Sequence, residues 1–328
     1  MTSLVNRKRK YPIRSLQWII FALLAVGSLF IGVTDISPAE LARMTSQQAE
    51  VMLISRFPRL LSIIMTGSSL AVAGLIMQSI MQNRFVSPTT AGTMEWCRLG
   101  VMAAILLFPH VSPLGRVAAA FGVSLAGTLL FVFMINKIQA RSIILVPLAG
   151  MMLGSVVNAV TVFFAYGNDI MQNMASWLQG NFSLIIKGNY ELLYLGLPLM
   201  AMGYIYADRF TIAGMGRNMT TSLGLNHAAT MKAGLAIVAV ISSVTIVAVG
   251  NIPFLGLVVP NLASLYRGDS LKNTLFDTAW LGAVLVLFCD ILGRTLIYPY
   301  EIPIGIIFSV VGGSIFLVLL FRKKSHAA

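Results

Sequence analysis

The sequence predicts an all-α polytopic membrane protein: one transmembrane domain over residues 1–328, about ten membrane helices, and both chain ends on the cytoplasmic side. Three observations predict it. Hydrophobic residues make up 57% of the chain and charged residues 10%, against about 45–50% and 25% in soluble domains. Apolar stretches bounded by charged or turn-forming residues leave almost no chain for a water-soluble domain. Lysine and arginine are distributed asymmetrically between those stretches.

In chain order the stretches are Leu16–Val33, Leu60–Ile80, Leu99–Phe108, Val117–Ile135, Ile143–Tyr166, Leu192–Ala207, Ala233–Val249, Pro253–Tyr266, Ala279–Tyr298 and Ile302–Phe321. Most approach the ~20 residues that cross hydrocarbon. Leu99–Phe108 and Pro253–Tyr266 are too short to face lipid alone, so neighbouring protein must shelter their ends. The first stretch follows a basic run but is long and has no small-x-small cleavage site, so it reads as a retained helix. In the eighth helix, Pro253 and Pro260 remove backbone donors and bend the helix, and neighbours must satisfy the carbonyls this frees. Gly150 with Gly154, and Ala118 with Gly122 and Ala126, have the fourfold spacing of close helix contacts.

The net charge of +12 would suit a nucleic-acid partner, but its placement argues for a membrane. With the amino terminus inside, only Arg43, Arg56, Arg59, Arg116, Lys187 and Arg294 of the 23 lysines and arginines fall outside. Asp35, Glu40, Glu50, Asp169, Glu191 and Glu301 balance them there. The positive excess is therefore all inner, as the positive-inside rule requires of an even number of crossings.

Several functions are excluded or weakened. No GxxxxGK loop ending in Ser or Thr occurs, no GxGxxG follows a strand, and His110, His227 and His326 are too dispersed for metal ligation. Cys97 and Cys289 lack the spacing of a disulfide framework or metal site. No nucleophile and base pair by spacing. No cofactor is expected on this chain, so uphill movement would need an ion gradient or a separate ATPase. Asp290 is the one acid well inside a stretch, and Arg294 lies four residues on, on the same helix face. That local pair is weak support for ion coupling.

The segment from Asp208 to Lys232 reads as two short helices around a glycine turn beneath the membrane. It suits a passive connector or a docking surface for a cytoplasmic partner.

Resemblance narrows these alternatives. The run Gly256-Leu257-Val258-Val259-Pro260, then Asp290, Arg294, Glu301-Ile302-Pro303-Ile304-Gly305 and Gly312, resembles the FecCD family. Those are permease subunits of ATP-binding-cassette (ABC) importers for iron-siderophores, haem and vitamin B12. The likeness extends through Arg56-Phe57-Pro58-Arg59-Leu60, Gly67, Ala73-Gly74, Gln78, Asn83, Pro88, Leu148-Ala149-Gly150, Trp177-Leu178-Gln179-Gly180 and Ser222-Leu223-Gly224-Leu225.

The resemblance implies a ten-helix permease in the bacterial cytoplasmic membrane. It would work with a second permease, two cytoplasmic ATPase subunits that carry ATP and Mg, and an extracytoplasmic siderophore-binding protein. It implies ATPase coupling through Gly216, Arg217, Ser222, Leu223, Gly224 and Leu225. Outer-face docking falls to Arg56, Arg59 and Arg294, whose planar forks suit carboxylates; headgroup anchoring in membrane lipid, or local pairing with Asp290 or Glu301, is the alternative. Gly256, Pro260, Asp290, Pro303 and Gly305 are implied structural positions.

Three departures from the family pattern stand out: Arg217-Asn218 where acids are usual, Pro260-Asn261 for Pro-His, and the run from Ser87 to Arg98. The last resembles a branch of siderophore permeases in Gram-positive bacteria and vibrios, associated with catecholate-type chelates. It nominates Glu95 and Trp96 for the inner mouth of the pathway, with Glu95 and Arg98 as an alternative surface pair. The resemblance also implies Asn158, Thr161 and Ser309 as pathway residues. A vitamin B12 or haem permease, an ion-coupled carrier and an intramembrane enzyme are the competing expectations.

Overall fold

The computed structural model describes residues 10–32, 45–137, 145–268 and 270–324. Of the charges placed by the topology argument, Arg7, Lys8, Arg9, Asp35, Glu40, Arg43, Arg141 and Asp269 lie outside the described residues. So does His326. Among the described residues the chain is helical, with two isolated bridges and no strand.

The helices are α1 (Lys10–Phe30), α2 (Ser46–Ile80), α3 (Thr93–Leu107), α4 (Pro113–Lys137), α5 (Leu145–Gly167), α6 (Met171–Leu178), α7 (Gly196–Ile205), α8 (Ala207–Ala213), α9 (Arg217–Ser222), α10 (His227–Val249), α11 (Leu255–Arg267), α12 (Leu271–Thr295) and α13 (Ile304–Lys324). Within the described residues each apolar stretch read from the sequence overlaps at least one of them. Six, namely α2, α4, α5, α10, α12 and α13, are long and apolar enough to cross a membrane. Helices α3 and α11 are short, with 15 and 13 residues, as their apolar runs foretold.

Helix α2 is the axis of the fold, packing against α12, α11 and α10. A capping box starts it: Thr45 Oγ1 accepts from Gln48 N, and Gln48 Oε1 accepts from Thr45 N at 3.0 Å. Small residues then let other backbones reach it. A Cβ on Gly67 would stand 2.6 Å from Gly282 O of α12, and one on Gly74 only 2.0 Å from Gly256 O of α11. These positions admit glycine alone, which accounts for two residues of the family-like pattern.

Two prolines leave carbonyls without a helical donor, and neighbours supply one each time. Pro58 follows a π-helical turn over Met52–Arg56, and Ile54 O accepts instead from Lys187 N at 2.9 Å. Pro260 lies inside α11. There Gln78 Nε2 of α2 reaches Leu257 O at 3.1 Å and Gly256 O at 3.5 Å, and Asn261 Nδ2 donates to Leu257 O at 2.8 Å. Pro253 bends no helix: it precedes α11, which begins after Phe254 in the left-handed region at φ 65.

One small-residue stripe faces the other way from expectation. Ala118, Gly122 and Ala126 are exposed, and nothing lies within 4 Å of a Cβ built on Gly122. The face of α4 that meets α3 carries Ala120, Ser124 and Gly127. Fourfold spacing permits contact but does not say which side of the helix the chain covers. Gly150 and Gly154 do sit at a close approach, beside Gly92 and the Glu95 side chain.

Candidate functional site

Three places carry the residues singled out from sequence. The first is a charged cluster joining α1, α2, α12 and the chain before α13. Asp290 is 3% exposed and lies between two guanidinium groups. Arg59 Nη2 is 2.8 Å from its Oδ1, and Arg294 Nη2 is 2.6 Å from its Oδ2, the latter a charge contact without hydrogen-bond alignment. Arg59 also grips Glu301 with Nη1, at 3.1 Å to Oε1 and 2.9 Å to Oε2. Ser183 Oγ donates to the same Glu301 Oε2 at 2.5 Å. Burial favours the neutral acid at Glu301, but Arg59 and Ser183 outweigh it and hold the carboxyl below the usual range.

The remaining arginine contacts go to the end of α1. Arg294 Nη1 donates to Ser28 O and Ile31 O, both at 2.8 Å, and Arg56 Nη1 donates to Leu29 O. Cations on the last carbonyls of a helix both satisfy orphan acceptors and oppose the helix dipole. Arg56 and Arg294 are buried, at 8% and 5% exposure. Local pairing therefore describes Arg59, with Asp290 and Glu301, and Arg294, with Asp290, in this conformation, while Arg56 holds the end of α1.

The second place is a crossing of three non-helical segments. Asn251 N donates to Leu178 O at 2.9 Å, Asn181 N to Val249 O at 3.0 Å, and Gly305 N to Gly180 O at 3.0 Å. Side chains are sterically barred there. A Cβ on Gly180 would lie 2.3 Å from Asn251 O, and Gly250 stands at φ 94. Pro303 leads into α13, and its carbonyl accepts from Ile306 N at 3.0 Å. This backbone knot holds the end of α6, the end of α10 and the start of α13 together.

Beside the crossing opens a cavity of about 420 Å³ whose walls include Asn158, Thr161, Gln179, Asn251 and Gly305. Asn158 and Thr161 are thus two of its wall residues. Ser309 does not line it: its hydroxyl bonds Gly305 O at 2.6 Å, one turn along α13. Glu95 and Trp96 are also outside the lining. Glu95 rests against Gly154 of α5, and the Trp96 ring covers Gly127 of α4. A further wall residue is Arg98, which the sequence offers only as a surface partner of Glu95; its Nη1 donates to Asn158 Oδ1 at 3.0 Å. Arg98 immediately precedes the third apolar run, Leu99–Phe108.

The third place is the segment predicted as two short helices around a glycine turn, and α8 and α9 are those helices. Gly216 at φ 99 caps α9, and Gly224 at φ 76 ends it. Gly224 N donates to Thr221 O and Leu225 N to Thr220 O, each at 3.0 Å, which is a Schellman termination. Gln82, just after α2, donates to Gly214 O. Met215, Met219 and Leu223 recur every fourth residue and are all more than half exposed, beside exposed Arg217 and Ser222.

Comparison with known proteins agrees with this architecture. The petrobactin import system permease protein YclN of Bacillus subtilis is 51% identical over 310 residues, covering 94% of this chain and 98% of its own. The ferric-anguibactin transport system permease protein FatD of Vibrio anguillarum is 41% identical over 302 residues, covering 92% and 96%. Among solved structures, an inward-facing conformation of a metal-chelate type ABC transporter superposes with TM-score 0.82 at 25% identity, covering 95% of this chain and all of that one. The family description "FecCD transport family" matches residues 19–322, and the chain belongs to that family.

Proposed function

We propose that this chain is the membrane permease subunit of an ABC importer that carries a ferric siderophore into the cytoplasm, within the bacterial cytoplasmic membrane. The observation that carries the reading is the 51% identity, over almost the whole of both chains, to a petrobactin import permease. The solved metal-chelate transporter supports it through shared fold. No ion-coupled carrier is favoured, because Asp290 is clamped by Arg59 and Arg294 rather than left to exchange a cation.

In this reading about ten helices cross the membrane and both chain ends are cytoplasmic. The exposed apolar faces of α5 and α13, with Met152, Val156, Phe163, Val310 and Val318, meet a second permease or lipid. The α8–α9 turn docks on one of two ATPase subunits, offering an apolar ridge from Met215 to Leu223. An extracytoplasmic binding protein delivers the chelate at the opposite end, near the Arg59–Glu301 pair. There Arg59 can trade Glu301, 23% exposed, for a carboxylate of the partner, while Arg56 and Arg294 keep α1 in place. ATP binding and hydrolysis on the partner subunits then shift the helices around the cavity beside Asn158 and Thr161. This chain holds no catalytic residue in the scheme.

The experiment is iron-55 uptake in cells lacking this chain and in cells complemented with it, using ferric petrobactin, ferric citrate, haem and cobalt-57 cobalamin. Restored uptake of a ferric siderophore supports the proposal. Restoration of haem or cobalamin uptake alone would overturn it in favour of the related permeases.

A further inference from the structure

We infer that the cavity between α3, α5, α6 and α13 is an anion-selecting transit site, in which Arg98 meets the deprotonated oxygens of an iron chelate. The inference rests on the permease reading above and names the substrate charge that this chain itself selects.

Arg98 lies inside an apolar helix, five residues from the start of α3, about 7 Å along its axis. A half-buried cation at the edge of an apolar run is costly unless it faces a cavity or a partner charge, and is for that reason a candidate pathway residue. Ion pairs among the described residues include Arg59 and Arg294 with Asp290, Arg59 with Glu301, Arg267 with Asp277 and Lys272 with Asp208. Arg98 makes none. Its recorded hydrogen bond goes to the neutral amide of Asn158, and Glu95, one turn away, rests on Gly154 rather than on Arg98.

Asn158 uses its oxygen to orient the guanidinium, which leaves that fork with unused donors and its own amide N–H groups free. Arg98 is the only charged residue in the lining among the described residues. The remaining walls are mostly apolar, and Met94, Met171 and Met174 among them are soft side chains that adapt to varied shapes, while Gln179 and Asn251 add amides. Asn251 Oδ1 is buried without a partner. A volume of about 420 Å³ is within the range of about 300–1,000 Å³ usual for small-molecule sites. A planar cation with open donors, in a mostly apolar wall with a few amides, suits catecholate or carboxylate oxygens and disfavours a cationic chelate.

The test uses the purified complete importer without its binding protein, so that the permease alone discriminates. Quenching of tryptophan fluorescence is titrated with the trianionic ferric tris-catecholate complex and with ferrioxamine, whose hydroxamate complex carries no negative charge. The wild type should bind the trianion and not ferrioxamine. Arg98→Gln should weaken trianion binding about tenfold or more, the scale of one charge-assisted hydrogen bond, while Arg98→Lys stays within about threefold. Uptake of an anionic iron-55 chelate by cells carrying the same variants should follow that order.

Equal binding of both complexes by the wild type would overturn the inference without use of any variant. Wild-type affinity in Arg98→Gln, or a loss in Arg98→Lys as large as in Arg98→Gln, would overturn it too. If the wild type imports the chelate and Arg98→Gln imports it equally well, only this inference falls. A wild-type importer that carries no iron chelate removes the permease reading as well.

Discussion

Arg59 on α2 and Glu301 before α13 form a two-point ion pair, Nη1 to both carboxylate oxygens at 3.1 and 2.9 Å, across 242 residues of sequence. The same guanidinium holds buried Asp290. One side chain therefore ties α2, α12 and the start of α13. Arg59→Ala leaves buried Asp290 with Arg294 alone and strips Glu301 of its cation, and removal of one partner of a buried pair costs about 3–5 kcal/mol. A large fall in detergent-solubilised melting temperature is expected, with a much smaller one for Glu301→Gln.

The Glu301 carboxyl is held low by Arg59 and Ser183 against the effect of burial. A group whose folded value is depressed contributes stability above its unfolded value, about 4.3 for glutamate, and loses it as pH falls through the folded value. Thermal melts of the wild type should thus drop below about pH 4.3 more steeply than those of Glu301→Gln. Parallel curves for the two would contradict the pairing.

Gln78 replaces the donor that Pro260 lacks. Gln78→Leu should cost about 1–3 kcal/mol, the penalty of an unsatisfied buried acceptor. In a Pro260→Ala background the helix regains its own N–H to Gly256 O, and the cost of Gln78→Leu should shrink. A double-mutant cycle in urea or by thermal melt measures this; strict additivity would refute the compensation.

Gly74 and Gly122 make a matched pair of opposites. A Cβ on Gly74 would collide with Gly256 O at 2.0 Å, whereas one on Gly122 meets nothing. Gly74→Ala should abolish accumulation of folded protein in membranes. Gly122→Ala should stay within about 0.5 kcal/mol of the parent, as surface changes usually do, if that face of α4 meets only lipid. A strong Gly122→Ala defect would place a protein partner on that face.

Gly224 holds the end of α9 at φ 76. A β-branched residue resists that region, while asparagine visits it. Gly224→Val should let the assembled importer hydrolyse ATP with little chelate uptake, and Gly224→Asn should retain most transport. Equal transport by both variants would remove the turn from coupling.

Much of this was legible in sequence because it depends on local chemistry. The glycine turn at Gly216 and Gly224 follows from backbone freedom, the Asp290–Arg294 contact from i,i+4 spacing, and the short α3 and α11 from the length of their apolar runs. Long-range geometry was not legible. Nothing in the spacing tells that Arg56 and Arg294 would take the carbonyls of Ser28, Leu29 and Ile31 at the end of α1, since those partners are set by packing. The stripe of Ala118, Gly122 and Ala126 told that contact was possible and not on which side. Arg98 was read as a surface charge because its partner, Asn158, is 60 residues away, and only the fold brings the two into one cavity wall.

The central claim, that this chain is a conduit whose energy comes from companion ATPases, is tested most directly in proteoliposomes holding the complete importer with ATP sealed inside. Ferric siderophore labelled with iron-55 and presented on its binding protein should accumulate only when ATP is present and hydrolysable. Equal accumulation by liposomes holding this chain alone, without nucleotide, would contradict the account.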